Sequence, residues 1–388
     1  MDRNVVIGLG SVVAMPLLGN LSDHYGRKVL LTFPMTLSIF PLAILAYSRT
    51  KYYFYAYYIL RTLISVICDG SIPCLALAYV ADNVPEGKRA AVFGILSGVT
   101  SSAFVCGNLS ARFLSTSATF QVAAGGSVVA LVYMRAFLPE SIRNRGVPAE
   151  ATETDCLLEK APSKKLQIFK KLPSFDDTIC LLRTSPTFSQ AAIATFFCDV
   201  SEIGLHASLL YYLKAQFQFN KDQFADLMII GGAASSISLL VLMPLLAPLL
   251  GEQKLLSIGL FFGCAHMFLH SIAWASWVPY AAAMMSVVAT FTMPCLKSIA
   301  SKQISPCEQG KAQGCLTGIS SLASIVSPLI FSPLTAMFLS DNPPFYFPGF
   351  SIMCAGFAGL IAFIQSIKLK DAESVADSMS SSSDNLDP

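Results

Sequence analysis

The sequence predicts an all-α membrane protein in which about eleven transmembrane helices form two pseudo-symmetric bundles. Three observations carry that reading. Hydrophobic residues make up 54% of the chain and charged ones only 13%, against about 25% charged in an average soluble domain. The apolar residues fall in runs close to the roughly 20 residues that a helix needs to cross a bilayer. The two halves also match at a shift of roughly 220 to 225 residues: Pro73-Cys74-Leu75 on Pro294-Cys295-Leu296, Gly94 and Gly98 on Gly314 and Gly318, Gly26 on Gly251, and Leu30-Leu31 on Leu255-Leu256. At that shift Asp23 faces Pro248.

In chain order, five spans are expected at 4–21, 29–48, 54–81, 89–113 and 118–138, and six more at 186–213, 223–250, 255–273, 277–300, 311–339 and 345–367. Residues 1–138 then form an N-terminal bundle of five helices and residues 186–370 a C-terminal bundle of six, joined by a cytoplasmic linker over 139–185 and followed by a disordered cytoplasmic tail over 371–388. The break after the first span is the polar run Gly19-Asn20-Leu21-Ser22-Asp23-His24-Tyr25-Gly26-Arg27-Lys28. Polar groups this dense cannot remain unsatisfied in hydrocarbon, where each costs several kcal/mol, so the run is a turn at the membrane surface. Its glycines permit the turn, and Arg27-Lys28 marks the cytoplasmic side.

The second break, Arg49 to Tyr53, carries tyrosines suited to an interfacial belt. Alternation from the Gly19–Lys28 turn places only Arg3, Arg49, Lys51, Arg112, Lys214 and Lys221 outside, in keeping with the positive-inside rule. The long polar segment from Glu140 to Ser185 holds Arg143, Arg145, Lys160, Lys164, Lys165, Lys170 and Lys171, and so falls inside. From Asp371 to Pro388 the chain is rich in Ser and Asp and has too few apolar residues to fold. No cleavage site follows the first apolar run, so that span serves as its own targeting signal.

Composition also excludes function classes. A net charge of +2 gives no basic field for nucleic acid. Most of the eleven cysteines, among them Cys68, Cys106, Cys198, Cys264 and Cys354, lie in apolar runs without CxxC spacing and read as buried thiols, not as disulfides or metal ligands. No HExxH, GxSxG or intramembrane Ser/His/Asp set is present, so an enzyme is not expected.

Charges inside the spans are costly and mark candidate sites. Arg61 needs a carboxylate, carbonyls or water beside it, and Asp69 follows eight residues on. A rise of about 12 Å between them argues against direct pairing. Asp199, Glu202 and His206 fall at i, i+3 and i+7 on one helix face. That face is either a proton-carrying stripe, with Glu202 near mid-membrane, or a hydrogen-bonding stripe between helices. His266 and His270, at i and i+4, read as packing histidines. Asp23 and Asp82 sit at cytoplasmic helix ends, where Asp23 caps the following helix and both are placed to pair with Arg27, Lys28 or Arg89 as a gate or as plain structure.

The run from Gly19 through Gly26, Arg27 and Lys28 to Leu31 resembles the GxLaDrxGrkxxl signature of the major facilitator superfamily, with His24 in place of the usual Arg. Ala78-Tyr79-Val80-Ala81-Asp82 with Arg89 and Phe93-Gly94, Leu138-Pro139-Glu140-Ser141, and Ser305-Pro306-Cys307-Glu308-Gln309-Gly310 with Gln313-Gly314 are similar to the tetracycline/proton antiporter branch and the hippocampus-abundant-transcript-like proteins. The resemblance covers about residues 5–370 and implies a twelve-helix major-facilitator fold, here read from its second helix onward. It further implies alternating access for a small organic solute, proton-coupled antiport, no cofactor, a monomer in the plasma membrane or an endomembrane, and a cytoplasmic C-terminus. It puts Arg61 at the Arg of the lxxxRxxqG signature, which implies a substrate and proton pathway of Arg61, Asp69, Asp199 and Glu202, and a gate of Gly19, Asp23, Gly26, Arg27, Lys28, Asp82 and Arg89. The antiporter signature gxxxGPxxGG survives only as Gly107-Asn108 and Ala111-Arg112. The competing expectation is a truncated, non-transporting isoform acting as a membrane partner or regulator.

Overall fold

The computed structural model describes residues 3–141, 182–183 and 185–383. The predicted linker falls almost wholly outside the described residues. Among the described residues, eleven helices are long and apolar enough to cross a membrane. The first five are α1 (Arg3–Tyr25), α2 (Arg27–Tyr47), α3 (Lys51–Asn83), α4 (Glu86–Phe113) and α5 (Thr116–Phe137). The remainder are α6 (Pro186–Phe217), α7 (Lys221–Leu250), α8 (Glu252–Ser271), α9 (Val278–Lys302), α10 (Gln309–Phe338) and α11 (Phe350–Ser383).

Local chemistry sets several of the boundaries. Ser115 accepts the Ala118 N–H ahead of α5, and Ser185 accepts that of Phe188, with Pro186 at the first position of α6 where no N–H is needed. Asn220 and Gln223 form a reciprocal capping box at α7. Within the spans, α7 widens to a π-turn over Ser238–Leu242, and α9 breaks at Thr290–Phe291, just before Pro294. Near that break the Val287 carbonyl accepts Oγ of Ser238 from α7 at 2.8 Å and Oγ1 of Thr290 at 2.8 Å. Neighbouring hydroxyls thus satisfy backbone near the break, as hydrocarbon requires.

At the C-terminus α11 runs on to Ser383, so the stretch from Asp371 expected to be disordered is helical as far as that residue. Extending a formed helix needs no new nucleus, and neither Pro nor Gly interrupts Asp371–Ser383.

The two bundles meet along two related seams: α1 lies along α10, and α7 along α4. The matched glycines carry both. A Cβ on Gly19 would stand 3.0 Å from the Gly314 Cα, so the α1 and α10 backbones approach as only small residues allow. Gly94 faces Met243 and Gly98 faces Leu239 and Leu240 across the other seam. The sequence repeat therefore corresponds to a repeated contact.

The C-terminal bundle has the larger core, with Phe188, Leu255, Leu256, Phe291, Leu296 and Leu316 buried together and Ala90 of α4 joining them. Buried hydroxyls stitch its helices. Ser208, Thr335 and Ser351 bond one another at 2.8–2.9 Å across α6, α10 and α11. Ser201 donates to the Ala355 carbonyl and Ser327 to that of Val200. Among lipid tails, where apolar burial gives little reason for helices to associate, such bonds and close packing hold a bundle together.

Gly314→Leu is expected to destabilise the protein by about 1–3 kcal/mol through overpacking, read as a lower midpoint of thermal unfolding in detergent. Gly87→Ala, which meets open space, serves as the comparison and is expected to leave the midpoint in place.

Candidate functional site

The turn between α1 and α2 pivots on Gly26, whose φ of 101° suits glycine. The side chain after it, Arg27, is 2% exposed. Its Nε donates to Asp82 Oδ2 at 2.9 Å and Nη2 to Asp23 Oδ1 at 2.5 Å, while Nη1 donates to Ser22 Oγ. Ser22 in turn donates to the Gly19 carbonyl at 2.6 Å, and Ser141 donates to Asp82 at 3.1 Å.

Asp23 does more than pair. Its carboxylate accepts the backbone N–H of Gly310 at 2.9 Å and of Lys311 at 2.8 Å. Those amides open α10, so a carboxylate of one bundle caps a helix of the other, where the helix dipole also favours it. This corrects the expectation that Asp23 caps the following helix: α2 has no side-chain cap at Gly26, and its Lys28 N–H goes to Glu140 at 3.3 Å. Asp23 still belongs to the last turn of α1, and the interface with α10 lies beside that turn.

Arg89 is also placed differently from the pairing with Asp23 or Asp82. It donates to the Ser301 carbonyl at 3.4 Å and Oγ at 3.2 Å, across to α9, and Ser301 is held by Gln309 at 2.6 Å. All seven predicted gate residues therefore gather at one end of the bundles. Glu140, Ser141, Ser301 and Gln309 complete the cluster.

The second copy of the turn is informative. Gly251 has φ of 80°, and Glu252 pairs with Lys302 at 3.0 Å. At the shift of the internal repeat, Glu252 overlies Arg27 and Lys302 overlies Asp82. The brace is kept with its charges exchanged. Pro248, opposite Asp23 in the repeat, offers no carboxylate, so the carboxylate cap is not repeated there, and α4 is tied to the other bundle by the Arg89–Ser301 contact instead.

Inside the spans, Arg61 Nη2 lies 3.4 Å from Asp69 Oδ1, which overturns the expectation that the two are too far apart to pair. Helical rise alone sets the axial separation, and the long arginine stem closes it. The side chains remain 30% and 46% exposed. Asp199 and Glu202 are half-buried and His206 is exposed. His266 and His270 are buried with ring centroids 5.7 Å apart, and His266 Nδ1 lies 2.6 Å from the Gly263 carbonyl oxygen.

Asp199 lies within electrostatic reach of Lys297 on α9 and of Glu202 on its own helix, with Ser320 of α10 nearby. Lys297, half-buried, is also within electrostatic reach of Cys74 of α3, beside Thr317 of α10. Gln313, Thr317 and Ser320 fall at i, i+4 and i+7 and form a polar stripe on α10. These groups make a column along the seam. Lys297 was the residue missed by sequence reasoning, although it directly follows the matched Pro294-Cys295-Leu296 inside an apolar span. Among the described residues, no three His, Cys, Asp or Glu side chains converge as a metal site.

Eleven crossing helices in two related halves are the build of a multi-pass integral membrane protein. The chain belongs to the Major Facilitator Superfamily, which it matches over residues 5–328. It is 26% identical over 338 residues to hippocampus abundant transcript-like protein 1 of Bos taurus, covering 86% of this chain and 63% of that one. Similarity to the class E tetracycline resistance protein of Escherichia coli is 24% over 331 residues, 83% of this chain and 74% of that one. Among solved structures, the human organic anion transporter MFSD10 (TETRAN) superposes with a TM-score of 0.77 at 20% identity, over 94% of this chain and 82% of that one. The chain thus spans 63% of the length of the hippocampus abundant transcript-like relative.

Arg27→Ala leaves the Asp23 and Asp82 carboxylates buried without their counter-charge, and is expected to cost about 3–5 kcal/mol of stability. Adding Asp23→Asn and Asp82→Asn to that variant should recover a substantial part of the loss in thermal unfolding. A triple variant as unstable as the single one would mean that the stranded charges are not the cause.

Proposed function

We propose that this protein is a secondary transporter, moving a small organic solute by alternating access in a proton-coupled antiport. The observation that carries the reading is the Asp23 carboxylate, bonded at once to Arg27 in its own bundle and to the Gly310 and Lys311 amides of the other. It holds the two halves together at one end of the molecule, beyond which the acidic column lies along their seam. The first nine residues of α3, from Lys51 to Ile59, are by contrast almost wholly exposed. A protein latched at one end is one state of a rocking pair, and the other state requires the latch to release. We read the latched end as cytoplasmic, from the Lys and Arg of its loops, and the C-terminus as lying on the same side.

Charge counting supports the coupling. Arg61 and Asp69 neutralise each other, whereas Asp199 and Glu202 together face the single ammonium of Lys297. An uncompensated charge at membrane depth is expensive. A proton on the pair removes the excess, and its release to one side is the coupled step. Similarity to tetracycline resistance proteins favours exchange of that proton for an organic solute.

In proteoliposomes carrying a pH-sensitive dye, a transported solute is expected to drive proton movement, and Glu202→Gln to abolish it. Proton movement at the unaltered rate in Glu202→Gln would remove Glu202 from the pathway. Failure of every solute in a broad screen to move protons or itself would favour a non-transporting membrane partner.

A further inference from the structure

We propose that Lys297 and the α6 carboxylates Asp199 and Glu202 form a binding site for a zwitterionic solute, whose anionic group meets Lys297 and whose cationic group meets the carboxylates. The proposal rests on the transport reading above and names the class of its substrate.

An ammonium at membrane depth is kept only where it has a partner or a task. Five other basic groups within the helices have partners: Arg27 with Asp23 and Asp82, Arg61 with Asp69, Arg89 with Glu86 and Ser301, Lys302 with Glu252, and Lys311 with Glu308. Among the described residues, Lys297 makes no hydrogen bond and no ion pair. Its charge nevertheless reaches Asp199 on the neighbouring helix.

Opposite charges in a poorly polarisable medium attract strongly and close to contact unless the scaffold prevents it. Here the helices that carry them, α6 and α9, pack against each other, and the charges still stand apart. Polar atoms with spare capacity lie on α6 and on the neighbouring α10. Asp199 Oδ2 is buried without a hydrogen-bond partner, and both amide atoms of Gln313, a residue 0% exposed on the same α10 stripe as Ser320, are likewise unpartnered.

The sign pattern selects the ligand. A simple anion would satisfy Lys297 but add a third negative charge beside Asp199 and Glu202. A simple cation would satisfy the carboxylates and leave the ammonium unpaired. A ligand carrying one charge of each sign answers both ends without changing the total.

The test uses the full chain, purified in detergent, and two matched sets of probes. One is phenylalanine with N-acetylphenylalanine and phenylalaninamide. The other is 4-(aminomethyl)benzoate with its N-acetyl and carboxamide derivatives, which sets the two charges farther apart. Binding is read by calorimetry. In at least one set the zwitterion is expected to bind about tenfold or more tightly than either singly charged derivative, because each derivative forfeits one charge-assisted contact.

Lys297→Gln is expected to erase the preference over the carboxamide while keeping the preference over the N-acetyl compound. Lys297→Arg, which keeps the charge and guards against a variant that does not fold, is expected to keep both preferences. No zwitterion preference in either set, or one unchanged in a folded Lys297→Gln, overturns the proposal. Glu202-dependent proton movement alongside such a result would leave the transport reading standing. Zwitterion binding without any solute or proton movement would overturn the transport reading and leave the site.

Discussion

The buried guanidinium of Arg27 is the interaction on which the arrangement of the two halves depends. A guanidinium offers donors in several directions from one rigid plane, and here they are distributed among Asp23, Asp82 and Ser22. Three segments, the end of α1, the start of α2 and the end of α3, are thereby fixed relative to one another. Asp23 then has acceptor capacity left over, and the first amides of α10 use it. The ion pair and the helix cap share one carboxylate, so bracing within a bundle and attachment between bundles are a single network. Glycine is required around it: Gly26 for its backbone angle, and Gly310 because the guanidinium lies against it.

The two seams of the molecule are related by the internal repeat but differ in chemistry. Along α1 and α10, close backbone packing ends in charge-assisted hydrogen bonds, which are directional and fail once the partners separate. Along α7 and α4 the equivalent glycines receive Met243, Leu239 and Leu240, and Pro248 replaces the latch carboxylate. Apolar contact of that kind is non-directional and tolerates sliding. The exchange of charges between Arg27–Asp82 and Glu252–Lys302 shows that each bundle retains its own brace even where the carboxylate cap across the seam was not duplicated.

Much of this was legible in the sequence because the bilayer imposes a strong one-dimensional pattern. The eleven spans follow from apolar runs, and the polar turn from Gly19 to Lys28 identifies itself. What could not be read depends on distant chain. The destination of Asp23 is an amide 287 positions away in sequence, and nothing near Asp23 indicates it. The Arg61–Asp69 pair was misjudged because axial rise was weighed without side-chain reach. Arg89 is expected beside Asp23 or Asp82, whereas its partners are Glu86, one helical turn before it, and Ser301, an uncharged residue of the other bundle. Lys297 was available to be found, since an ionisable residue within an apolar span is itself the signal. Continuation of α11 past Asp371 was hidden by a composition that reads as solvated whether helical or not.

The hydroxyl contacts joining Ser208, Thr335 and Ser351, with those of Ser201 and Ser327, have a mechanical consequence. They tie α6, α10 and α11 into one block by bonds that cannot shift by a fraction of a turn without stranding an oxygen. Asp199 rides on α6, and α9, which bears Lys297, packs on that same helix. The separation of these two charges is therefore a property of one half alone. In the rocking motion proposed above, that spacing would be carried unchanged, like a gauge set in the moving jaw of a vice, while Cys74, Arg61 and Asp69 on the opposite jaw would come and go before it.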